Sequence, residues 1–305
     1  MRGRLLGIAV VSLSIAAACA IITILTSAAD WMSGDYRSWA GTMRSCASAK
    51  TTGSGERRTV DLAWAGSDAV KINIPAQVQY RPAPKPQASV SGNAELVGHV
   101  RLHDGKLEWD TVEWDSLVDC FPASDLVVHL SGPAVTAWTL NGSGQLSLSD
   151  IKQDVLRVTV HGSGTVTASG EAKELSLDAA GSSRADLGRL AAQKTSVNMA
   201  GSSDLKLADI KPDVLRVILH GSSVVTASGA AREVSLESAG SSRADLGGLI
   251  AERASLQIHG SGNVDLAPRQ DADISVSGSA VVKLHGTVAR INSHVSGSGQ
   301  IKQVP

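Results

Sequence analysis

Val158-Thr159-Val160-His161-Gly162-Ser163-Gly164-Thr165-Val166-Thr167-Ala168 places apolar or small residues at even steps from Gly162 and polar residues at odd steps. A period of two is the pattern of strands with one buried face. The alternation passes through Gly162-Ser163-Gly164 without a slip, so the tripeptide reads as a bend within a continuous inward-facing row. It recurs as Gly-Ser-Gly at Gly142, Gly162, Gly260 and Gly297, as Gly-Ser-Ser at Gly181, Gly201, Gly221 and Gly240, and as Gly-Ser-Ala at Gly278. The spacings are 20, 19, 20, 20, 19, 20, 18 and 19 residues. A period near 20 held through nine copies predicts an all-β parallel β-helix, a solenoid in which each repeat is one coil stacked on the last.

Equivalent positions then form columns. Four residues after each glycine stand Leu146, Val166, Ala185, Leu205, Val225, Ala244, Val264, Val282 and Ile301. Two residues before it stand Leu140, Val160, Ala179, Met199, Leu219, Ser238, Ile258, Val276 and Val295. These columns predict a core built without aromatic side chains. The glycine is expected to permit close backbone approach and unusual dihedrals in a narrow corner. The serine after it is expected to form a structural ladder of hydroxyls about 4.8 Å apart rather than a nucleophile, which would need one particular base. A longer period lies over the short one: residues 142–161 and 201–220 agree at 13 of 20 positions, and Gly-Ser-Ser-Arg-Ala-Asp-Leu-Gly opens at both 181 and 240. Duplication of a three-coil unit explains it.

The chain of 305 residues carries a net charge of −1, which gives no basic stripe and hence no expectation of nucleic acid. Residues 1–29 hold Arg2 and Arg4 followed by an uncharged run from Leu5 to Ala29, long enough to cross a bilayer. This segment is read as a signal anchor or a cleaved signal peptide, with lipidation at Cys19 a third route. All three export the remainder, and an anchor would tether it to the membrane. Residues 30–58 read as a linker or stem. Residues 59–138 read as an irregular N-terminal β region and cap, with strands at Val70–Ile74, Gln77–Tyr80, Ala88–Val90, Ala94–Leu102, Lys106–Val112 and Leu126–Leu130. All six Trp, both Tyr and Phe121 lie at or before position 138, as suits the end of a solenoid. Residues 139–305 are the regular repeats. Cys46 and Cys120 are the two thiols outside the leader, and they are candidates for a disulfide or for two free thiols.

The bends followed by apolar-x-apolar pairs, as in Gln145-Leu146-Ser147-Leu148 and Asn263-Val264-Asp265-Leu266, resemble the putative auto-transporter adhesin head domain, also called the GIN domain. The resemblance covers residues 59 to 305 and includes the opening Val70-Lys71-Ile72-Asn73-Ile74-Pro75. It implies a parallel β-helix of the cell envelope and supplies no catalytic, cofactor or metal residues. No translocator barrel follows Pro305, so it carries no expectation of the auto-transporter route.

Carboxylates and imidazoles are the residues here that could carry chemistry. Asp186 and Asp245, three coils apart, would stand about 14 Å from each other, beyond the roughly 5–9.5 Å of a glycosidase pair. Arg184 and Asp186, two apart on one face, suit a surface ion pair within the coil. His161, His220 and His259 face outward, about 10–14 Å apart, too far to share a metal. A small-ligand site, if one is present, belongs in the Trp-bearing region from Trp64 to Trp138. The leading expectation is a non-enzymatic envelope module for adhesion or interaction, with an unknown envelope or surface partner and self-association through the open C-terminal edge. The alternatives are a periplasmic membrane-anchored sensor or assembly factor and, third, a polysaccharide lyase or hydrolase.

Overall fold

The computed structural model describes residues 56–110 and 126–305; the leader, Cys46 and Cys120 lie outside the described residues. A single sheet system coils into a β-solenoid of about 8 turns of ~20 residues, as the glycine spacing predicts. The regular coils run through β9 (Gln145–Gly162), β10 (Thr165–Gly181), β11 (Arg184–Gly201), β12 (Asp204–Ile210), β13 (Val214–Gly221), β14 (Val224–Gly240), β15 (Arg243–Gly260) and β16 (Asn263–Gly278). The last coil consists of β18 (Arg290–Gly297) on β16 and β19 (Gln300–Val304) on β17 (Val281–His285). Every pairing among these strands is parallel.

Register carries like onto like. Gly162 lies over Gly142, Gly181 over Gly162 and Gly201 over Gly181, and the column continues to Gly297 over Gly278. All nine bend glycines have positive φ, from +89° at Gly142 to +128° at Gly278. The backbone N–H of the following serine donates to the glycine carbonyl one coil below, as Ser182 does to Gly162 at 2.9 Å. Inside, the two predicted columns are buried from Leu146 to Val282 and from Leu140 to Val276, in a core of Leu, Val, Ile, Ala and Met.

The serine ladder differs from expectation. The serine directly after the glycine is exposed, because its odd position turns it outward. The buried column is the next residue: Ser183, Ser203, Ser223 and Ser242, none more than 4% exposed. Ser183 and Ser203 hydroxyls meet at 3.0 Å. Ser203, Ser223 and Ser242 donate to the Gly181, Gly201 and Gly221 carbonyls one coil below at 3.2–3.3 Å. A buried hydroxyl needs such a partner.

A second corner carries the 59-residue repeat. Gly170 and Gly229 have φ of +119° and +123° and lie over Ile151 and Ile210. Beside them Asp150 and Asp209 adopt φ of 57° and 52°, and their N–H groups donate to Ser169 and Ser228 Oγ at 3.4 and 3.2 Å.

At the N-terminal end the chain order departs from the stacking order. The pair β2 (Ala69–Ile72) and β3 (Gln77–Pro82) lies under β8 (Ala137–Gly142) and β9, and forms the first coil in sequence. Beneath it lies a coil made by later residues, β6 (Lys106–Trp109) and β7 (Leu126–Gly132), again parallel. The solenoid is then closed by antiparallel strands: β5 (Val100–His103) on β6, β4 (Gln87–Asn93) on β7, and β1 (Arg57–Leu62) on β4. Ala94–Leu102 is not one strand. Ala94–Val97 forms a single helical turn, α1, with Asn93 Oδ1 accepting from Glu95 N at 2.9 Å as its cap. Two of the aromatics lie between coils near this end: Trp138 stacks between Val70 and Val158 and Tyr80 between Leu130 and Leu148, each 1% exposed, with ring centroids 5.0 Å apart. The Tyr80 hydroxyl donates to Pro133 O at 2.7 Å, and burial raises its pKa against a smaller opposing contribution from the Val135 backbone.

The C-terminal end is finished differently. Ile291 and Val295 continue inward columns but are each 40% exposed, since no coil covers them. Two other inward columns turn polar at this coil. Ser293 stacks on Ile274, above Leu256 and Leu236, and Gln303 stacks on Leu284, above Leu266 and Leu246.

Candidate functional surface

Outward side chains form columns as regular as the inward ones, and their charges pair between coils. Arg184 meets Asp204 at 3.5 Å and Lys206 meets Asp186 at 4.0 Å, so the expected Arg184–Asp186 pair within one coil is replaced by two bridges along the stack. In-register neighbours at strand spacing lie closer than residues two apart along an extended strand. A second outward column shows the same arrangement at three steps, interrupted by Val155 and Val214: Lys194 pairs with Glu174 at 3.2 Å, Arg253 with Glu233 at 3.9 Å and Arg290 with Asp271 at 3.3 Å. Lys173 and Asp154 pair at 2.8 Å, and that hydrogen bond, then the charge, raises the lysine pKa. Most of these side chains are half or more exposed, so solvent screening leaves each pair little weight in stability.

The residues weighed for chemistry do not converge. Asp186 caps a local turn by accepting from Gly188 N at 3.0 Å. Asp245 lies in register with Asp265, whose carboxylate is engaged by His285 at 3.3 Å and Lys283 at 3.6 Å. His161, His220 and His259 are exposed on separate coils. His99 and Arg101 share Asp110, at 3.0 and 2.8 Å, and His103 faces Glu108 at 3.2 Å. Among the described residues no group of three metal-ligating side chains comes together.

A concavity on the N-terminal coils overlaps the Trp64 to Trp138 region and extends to Asp61, Leu62 and Ser149, with no tryptophan in its lining. It is a groove of about 740 Å³ over the outer face of β1, β4, β7, β3 and β9. It forms where the antiparallel cap joins the parallel coils. One transverse row runs along its floor, with Asp61 beside Ser89, Ser89 beside His129 and His129 beside Gln79; the row continues past the groove to Ser147. Arg81, at one margin, is held by Asp150 at 3.1 Å. Period two in each of the five strands sends these polar residues outward, while Val90, Val128 and Val78 between them are buried. The sequence showed the parity of each strand but not that β1, β4 and β7 would be neighbours of β3.

The family model described as "Putative auto-transporter adhesin, head GIN domain" matches residues 67–188 and again 185–288. Among curated proteins none matches the chain. Solved structures share the fold. A putative lipid binding protein from Parabacteroides distasonis is 20% identical with a TM-score of 0.59, and a putative adhesin from Parabacteroides merdae is 14% identical with a TM-score of 0.60. A putative adhesin from Parabacteroides distasonis is 15% identical with a TM-score of 0.57. In each case 83% of this chain and 98% of the other is covered.

Proposed function

Because the chain belongs to the family described as putative auto-transporter adhesin, head GIN domain, we propose that it is a non-enzymatic, extracytoplasmic adhesion-like module of the bacterial cell envelope. In this reading the N-terminal segment holds it at the membrane and the β-helix presents its faces to an envelope or surface partner. The observation that carries the reading is the regularity of the outward columns. An active site breaks a repeat, whereas here Asp186, Asp204, Lys206 and Arg184 complete one another from coil to coil. The same reading gives the C-terminal edge a part: the open ladder of β18 and β19 offers strand addition to a second copy or to an envelope partner. Lipid, named for one solved relative, finds little support here, since the large exposed apolar residues among those described are Ile250, Ile291 and Val295.

Beads coated with the full chain test the reading against isolated cell-envelope material. Retention above that of beads bearing an unrelated β-helix is the expected result. Equal retention would remove adhesion as the function.

A further inference from the structure

We propose that the groove over β1, β4, β7, β3 and β9 binds a linear, neutral polysaccharide laid across the strands. The inference deepens the adhesion-like reading and rests on it for its biological setting. β4, β7 and β3 each carry ladders on both sides, so across the middle of the floor recognition falls to side chains. Those side chains are Asp61, Ser89, His129 and Gln79 in one row. Hydroxyl, amide and neutral imidazole groups each both donate and accept, and the carboxylate accepts, which is the capacity a ring of secondary hydroxyls requires.

Spacing points the same way. Successive members of the row are set one strand apart, about 4.8 Å, close to the length of one pyranose unit in an extended chain. Four consecutive polar groups at that interval can therefore address successive sugar rings. A strongly anionic ligand fits less well: the guanidinium of Arg81 is committed to Asp150 at 3.1 Å, and Asp61 adds negative charge to the floor. An apolar ligand finds no outward apolar side chain along the row. Without an aromatic platform each site would bind weakly, and many copies on one surface would supply avidity.

The full chain is titrated with cello-, xylo-, malto- and N-acetylchito-oligosaccharides at concentrations up to about 1 mM, followed by saturation-transfer NMR and calorimetry. At least one neutral series should bind saturably. Gln79→Ala and His129→Ala, both at exposed positions, should each weaken it about fivefold, the loss of roughly one hydrogen bond. Thr226→Ala, on the regular coils in the same outward row, should leave it unchanged. The inference fails if no neutral series binds, if binding survives both groove variants intact, or if polygalacturonate binds better than every neutral chain. Bead retention without oligosaccharide binding would sink the groove and spare the adhesion-like reading; the reverse result would sink that reading and spare the groove.

Discussion

A Cβ placed on Gly221 would stand 2.7 Å from the carbonyl oxygen of Gly201, directly below it in the stack, and that oxygen already accepts from Ser222 N at 2.8 Å. The bend glycine is therefore fixed by the coil beneath it as well as by its own φ of +97°. Gly142 separates the two causes, since its φ is +89° but nothing lies within 4 Å of its would-be Cβ. Gly142→Ala is expected to cost only the backbone strain, about 1–3 kcal/mol. Gly221→Ala should cost clearly more, because the coil spacing must also give. Denaturant unfolding of the two variants measures this, and equal losses would show that the stacked carbonyl is irrelevant.

Adjacent serines should behave unequally. Ser203→Ala removes a hydroxyl that is 1% exposed and bonded to Ser183 and Gly181, with an expected loss of about 1–3 kcal/mol. Ser202→Ala removes an exposed hydroxyl and should fall within ±0.5 kcal/mol. The midpoint of thermal unfolding distinguishes them. A larger loss at Ser202 would return the ladder to the position expected from sequence.

Tyr80→Phe should destabilise the cap by about 0.5–1.5 kcal/mol at neutral pH through loss of the bond to Pro133. The folded phenol has a pKa above its ordinary value of 10.0, chiefly through burial. Its contribution is thus intact below the unfolded value and is lost as pH rises through the folded one. Stability against pH should decline more steeply above pH 10.0 in the parent than in Tyr80→Phe. Parallel alkaline curves would contradict this.

The self-association proposed for the last coil would bury Ile291 and Val295. Because each is already 40% exposed, Ile291→Lys with Val295→Lys should change the unfolding midpoint little. It should, however, abolish concentration-dependent association in sedimentation velocity by placing two charges on the edge. Association that persists in the double variant would move the contact elsewhere.

The solenoid was legible because one residue type recurs for one reason. From Gly162 to Gly297 each bend glycine meets the carbonyl of the bend glycine below, so the period in sequence is the period in space. Inward columns such as Leu146, Val166 and Ala185 were legible for the same cause. The buried serine was misplaced by one because nine copies of Ser after Gly outweighed the parity that turns that position outward. The second corner escaped notice because Gly170 and Gly229 occur twice at 59 residues and not in every coil. The groove was only half visible: its polar rows follow from alternation, but the antiparallel return of β4 beside β7 is a long-range pairing that no local pattern specifies.

The central claim, an exported module that meets partners outside the cell, is tested most directly by protease accessibility. Intact cells and cells with the outer barrier opened are treated in parallel, and the N-terminus is followed for cleavage. The account predicts digestion of the β-helix in intact cells. Protection until the barrier is opened, with the leader retained, would contradict adhesion and place the chain with periplasmic sensors or scaffolds.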